Sequence, residues 1–129
     1  MQHSMRKAIH TRKLYSFENT FLRGCFSPLP MSTLQLWAHA ICPEAIVRSG
    51  RGVIDAMGKR TSFACGGRIV LARQHRRLDV LLHELAHVMG SNRELDHGPT
   101  FRTRFFSLLE KYGGLDGDLL EIQWREYGN

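Results

Sequence analysis

From Leu78 to Met89 most positions are apolar: Leu78, Val80, Leu81, Leu82, Leu85, Ala86, Val88 and Met89 leave room only for Asp79, His83, Glu84 and His87. A helix that is apolar on almost every side is one the rest of the fold covers, so the run predicts a buried central helix. Further on, Phe101, Phe105, Leu108, Leu109 and Tyr112 recur at three- and four-residue spacing and predict the inward face of another helix. Pro99 suits its first position, Gly98 permits an unusual backbone angle just before it, and Gly113-Gly114 ends it. Nearer the start, Leu34, Trp37, Ala38 and Ile41 form a third stripe. Ser32 is its expected cap, with Gln35 completing a capping box and Met31 stapling against Leu36. Pro28 and Pro30 break the chain before this helix, and Pro43 stops it.

Between the stripes the period changes. Ile46-Val47-Arg48, Val53-Ile54 and Arg68-Ile69-Val70-Leu71-Ala72 have the β-branched bias of short strands, and Ser62-Phe63-Ala64 adds to the same sheet. Gly50, Gly52, Gly58, Gly66 and Gly67 separate them. Two stretches fit either type: Leu14 to Phe26 carries aromatics without clean periodicity, and Leu119 to Trp124 is amphipathic enough for a last helix or strand. The expected class is α+β, a small mixed or antiparallel sheet packed on the central helix with flanking helices.

Composition narrows this picture. A chain of 129 residues makes one sizeable core, and a hydrophobic fraction of 43% is that of an ordinary globular protein. Residues 1–13 are basic and read as a flexible arm; 14–129 read as the single domain. The arm has no apolar h-region, and no run nears the ~20 residues of a membrane span, so neither a secretory signal nor a membrane partner is expected. Cys25, Cys42 and Cys65 are odd in number and contain no C-x-x-C pair, which argues against a disulfide framework and a separate zinc ribbon. The expected compartment is cytoplasmic. Lys plus Arg number 18 against 12 Asp plus Glu, a net charge of +6 that favours acidic partners, nucleic acid among them, through a basic surface. The arginines are scattered, however, and form no reading motif. The oligomeric state is left open.

The chemistry lies in the buried helix. His83 and His87 are four apart and stand on one helical face, where two neutral imidazoles can hold one Zn²⁺. Glu84 lies about 100° round the helix from His83, within reach of a metal-bound water without being a ligand. An ion there lowers the pKa of its water and polarises a scissile carbonyl, while Glu84 takes and returns the proton. Two histidines and a carboxylate in an apolar helix are costly without partners, and a metal supplies them.

A catalytic zinc has three protein ligands and one open position. His97 is the expected third, placed beyond a turn that folds the chain back and held by Gly98-Pro99 just outside the next helix. Asp96 is its nearest competitor and could instead orient His97; Glu94 and Glu110 are weaker alternatives. His75, His39, His3 and His10 are left out of the site. Neither Tyr112 nor Tyr127 is placed well enough to name as a donor to the oxyanion.

His83-Glu84-Leu85-Ala86-His87, followed by His97-Gly98-Pro99-Thr100-Phe101 and preceded by the strand Arg68–Ala72, resembles the minimal zincin metallopeptidases that carry His-Glu-x-x-His. The SprT-like type is nearest, and small phage and bacterial metallohydrolases are also similar. The likeness spans roughly residues 62–112. It implies a helix–sheet–helix zincin fold, His83, His87 and His97 as zinc ligands, and Glu84 as general base. The metzincin pattern fails, because its third histidine would fall on Arg93. Three functions follow as expectations. The first is a zinc-dependent peptidase acting on peptide or protein substrates, with a sheet edge near the metal able to pair with an extended substrate. The second is a DNA-associated protease acting on nucleic-acid-bound proteins. The third is a non-enzymatic zinc-binding regulatory or interaction domain, which would have no need of Glu84.

Overall fold

In the computed structural model, which describes residues 12–54, 60–90 and 97–127, the apolar run at Leu78–Val88 is an α-helix. In chain order the elements are helix α1 (residues 12–25), helix α2 (Met31–Ile41), strands β1 (Ile46–Gly50), β2 (Val53–Ile54), β3 (Arg60–Thr61), β4 (Phe63–Cys65) and β5 (Arg68–Ala72), and helices α3 (Leu78–Val88), α4 (Pro99–Gly113) and α5 (Gly117–Glu126). The class is α+β, as the pattern predicts. Two compact units are present: Ser27–Ser91, which holds α2, the strands and α3, and Met1–Phe26 with Asn92–Asn129, which holds α1, α4 and α5.

Within Ser27–Ser91, β5 is the centre of a three-stranded mixed sheet of order β1-β5-β4. It runs parallel to β1, with Ile46 opposite Arg68 and Gly50 opposite Ala72, and antiparallel to β4. Cys65 pairs with Arg68, so only Gly66 and Gly67 turn the chain, at φ +57° and +81°. Two left-handed residues in succession match the twist of the flanking strands, and glycine takes that conformation without a Cβ clash. Strands β2 and β3 form a separate antiparallel pair.

Alternation along β5 buries Ile69 and Leu71 completely, and α3 packs against β4, β5 and α2. Leu81, Leu82, Leu85 and Ala86 are each 0% exposed, so this unit has an aliphatic core around α3. An isolated helix of 11 residues would be marginal in water; burying each leucine contributes about 1.5–3 kcal/mol and makes α3 a fixed platform.

Helix α2 differs from expectation at its start. It begins at Met31 with Pro30 in the cap position, and no side chain caps it. Ser32 is an exposed first-turn residue, Leu36 is 72% exposed instead of stapled, and Gln35 donates through Nε2 to the Val47 carbonyl at 3.0 Å. The competing demand is at the sheet edge, where a β1 carbonyl finds its donor in the Gln35 amide. Of the predicted stripe, Leu34 and Ala38 are buried, while Trp37 and Ile41 are half-buried.

The other unit is helical and aromatic. The ambiguous stretch 14–26 belongs to α1, and Arg12 and Lys13, assigned to the arm on sequence, are helical too. Leu14 and Phe17 are three apart and both fully buried. Leu22 comes five residues after Phe17, about 140° out of phase in an α-helix. A π turn over Glu18–Leu22, in which the Arg23 N–H donates to the Glu18 carbonyl, resets the register, and Leu22 is 0% exposed.

Around the Phe17 ring stand Phe21, Phe106, Trp124 and Tyr127, with centroids 5.4, 5.3, 5.7 and 5.7 Å away. Lys13 Nζ lies 4.3 Å and Arg102 Cζ 4.9 Å from the Trp124 ring, and Arg102 pairs with Glu121 at 3.0 Å. Burial pushes the Lys13 ammonium pKa down, the Arg102 charge pushes it further, and Glu121 partly opposes both. Helix α4 buries Phe101, Phe105, Leu108 and Leu109 as predicted, and also Phe106, which the stripe missed. Gly98 takes an ordinary φ of −73°, contrary to expectation, because a cap position needs only extended backbone. The left-handed residue is Gly114 at the other end, φ +71°. Asp116 caps α5 by accepting the Leu119 N–H at 3.0 Å, so the tail is a helix. Among the described residues no helix is long and apolar enough to cross a membrane.

Candidate metal centre

Helix α3 fixes two of the predicted ligands through its own geometry. Side chains four apart sit one above the other, and the His83 and His87 ring centroids are 5.0 Å apart, inclined at 64°. His83 is 6% exposed and His87 half-buried. Glu84, next to His83, is 5% exposed.

His97 is the third member. Its backbone belongs to no helix: it lies two residues before Pro99, the first residue of α4. Nonetheless one ligand nitrogen from each of His83, His87 and His97 falls within 4.8 Å of the other two. Three imidazoles suit a borderline divalent ion such as zinc, copper, iron or nickel better than they suit calcium or magnesium, which prefer all-oxygen shells. At Zn–N distances of about 2.05 Å, tetrahedral nitrogens stand about 3.3 Å apart, a spacing inside the 4.8 Å that bounds these three. The donors therefore fit a metal held by three protein ligands.

Other candidates fall elsewhere. Glu110 is exposed on α4 and outside the histidine group. Asp96 and Glu94, like His3 and His10, lie outside the described residues. His75 belongs to the 3-10 turn Arg73–His75, where its Nδ1 is 3.3 Å from Ser62 Oγ, and His39 is exposed on α2. Ser62 Oγ also accepts the Ala72 N–H at 2.7 Å, so this pair ties the end of β5 to the turn before α3. The Tyr127 ring stands edge-on to that of Phe17, with centroids 5.7 Å apart.

Two features of the site escaped the sequence reading. Asp79, one turn before His83, is 0% exposed and forms an ion pair with Arg77, Nε to Oδ1 3.1 Å and Nη2 to Oδ2 3.5 Å. Its signal was present: Asp79, His83 and His87 repeat every four residues along one face. Asp79 also sits in the first turn, where the helix dipole favours a negative charge. The second is Tyr15 of α1, whose ring centroid is 5.5 Å from that of His97. No local pattern connects positions 15 and 97.

No family model matches the chain, and no curated protein or solved structure matches it either.

Proposed function

We propose that this chain is a zinc-dependent metallopeptidase of the minimal zincin type, similar to the SprT-like peptidases, with His83, His87 and His97 as ligands and Glu84 as general base. The observation that carries the reading is the convergence of three imidazole nitrogens within 4.8 Å, beside a carboxylate only 5% exposed. A purely structural ion would need the histidines; it would not need Glu84.

When bound, the ion supplies Lewis-acid polarisation of the scissile carbonyl and a water of lowered pKa. Glu84 accepts the proton as the water oxygen bonds to the carbonyl carbon, then delivers it to the leaving nitrogen as the C–N bond breaks. Burial serves this role by excluding bulk water that would compete for the proton. Strand β4, an edge of the three-stranded sheet against which α3 packs, offers main-chain groups to an extended peptide.

The test is metal content together with cleavage of a quenched-fluorescent peptide library by the purified chain. Glu84→Gln is expected to keep the metal and lose peptidase activity by about 10²–10⁴-fold. Undiminished cleavage by that variant would remove Glu84 from its role. Stoichiometric metal without cleavage of any peptide would replace the peptidase with the non-catalytic zinc-binding domain. The DNA-associated version carries its own requirement: duplex affinity that falls steeply with salt.

A further inference from the structure

His83 and His87 are aimed by α3, because a helix fixes the direction of every Cβ it carries. His97 has no helix of its own, and the terminal ring torsion of a histidine is intrinsically broad. Something else must set the plane of its imidazole, since the lone pair that would bind a metal lies in that plane. Two aromatic rings stand against it. Phe101 stands nearly perpendicular to the His97 ring at 79°, centroids 5.0 Å apart, and Tyr15 is tilted 60° at 5.5 Å.

These two contacts differ in kind. Phe101 is 1% exposed and its ring lies 5.9 Å from that of Phe105, so it is part of the core. Tyr15 is 48% exposed. Helix α1 is seated by Leu14, Phe17 and Leu22, all 0% exposed. A half-exposed aromatic ring laid against a 9%-exposed histidine contributes little to the core, but it does restrict how that histidine can turn.

We propose that Tyr15 is a positioning residue for the metal centre: with Phe101 it forms an aromatic slot that holds the His97 imidazole in its binding orientation. This rests on the metal reading above and extends it by making the affinity of the centre depend on α1. Groups that orient a ligand histidine typically change metal affinity 10–100-fold when removed. As Phe101 remains, the lower end of that range is expected.

The experiment compares the full chain with Tyr15→Ala and Tyr15→Phe. Zn²⁺ affinity is measured by chelator competition, the ligand field by the Co²⁺ absorption spectrum, and the His97 ring shifts by NMR of the metal-free protein. Tyr15→Ala is expected to bind Zn²⁺ about 10-fold more weakly, alter the Co²⁺ spectrum, and lose the ring-current displacement of the His97 protons, with an unchanged thermal melt. Tyr15→Phe, which keeps the ring, is expected to stay within about threefold of the unmodified chain and to retain both spectra. Unmodified-like affinity and Co²⁺ spectrum in Tyr15→Ala would overturn the proposal, as would a Tyr15→Phe variant as weak as Tyr15→Ala. Failure of the metal reading looks different: the unmodified chain would then bind neither Zn²⁺ nor Co²⁺, and both proposals would fall together.

Discussion

The two units of this protein bury different things and hold their histidines differently. Ser27–Ser91 surrounds α3 with leucine, isoleucine and alanine, and two of the three clustered histidines, His83 and His87, are placed by one helix. The unit of α1, α4 and α5 is built on Phe17, Phe101, Phe105, Phe106 and Trp124, and the third clustered histidine, His97, stands on irregular backbone between the rings of Tyr15 and Phe101. The polar interactions divide in the same way. Arg77 and Asp79 are an almost fully buried pair, with side chains 11% and 1% exposed, whereas Arg102 and Glu121 are 23% and 48% exposed. The comparison shows that a helix alone is enough to aim a pair of ligands, but a ligand on irregular backbone depends on side chains contributed from far along the chain.

The largest expected effect comes from removing the centre of the aromatic unit. Phe17→Ala deletes a fully buried ring that meets four others, and should cost about 3–5 kcal/mol in urea denaturation. Hydrogen exchange should show protection falling first in α1, α4 and α5 while α3 amides persist. Equal loss in α3 would break the contrast between the two units.

Arg77→Met comes next. It leaves the Asp79 carboxylate buried without its guanidinium, an expected loss of about 3 kcal/mol. Adding Asp79→Leu should recover most of it, since the cost is that of an uncompensated charge. A double variant no more stable than the single one would show that Asp79 matters for another reason.

The smallest effect belongs to the exposed pair. Glu121→Gln breaks the Arg102 contact in solvent and should change stability by no more than about 1 kcal/mol, less at high salt. A loss as large as that of Arg77→Met would erase the distinction between buried and exposed ion pairs here.

Much of α3 and α4 was legible because their signals are local. An apolar run of helical length, two histidines four apart and a recurrent aromatic stripe need no knowledge of distant residues, and the strands at Val53–Ile54 and Arg68–Ala72 were likewise visible from β-branched composition. Where local and tertiary demands competed, the reading slipped. Gln35 serves a sheet-edge carbonyl instead of a capping box, and the π turn in α1 answers the five-residue step from Phe17 to Leu22.

By itself, then, the chain determined the helix that carries His83, Glu84 and His87, since neighbours three or four apart on a helix meet whatever the rest of the protein does. Only the tertiary structure decided that β5 is the central strand, that Arg77 compensates the buried Asp79, and that Tyr15 and Phe101 stand against His97. Strand order and the Tyr15–His97 contact depend on residues far apart in sequence, and their partners are chosen by which surfaces fit together, information that no short window of residues contains.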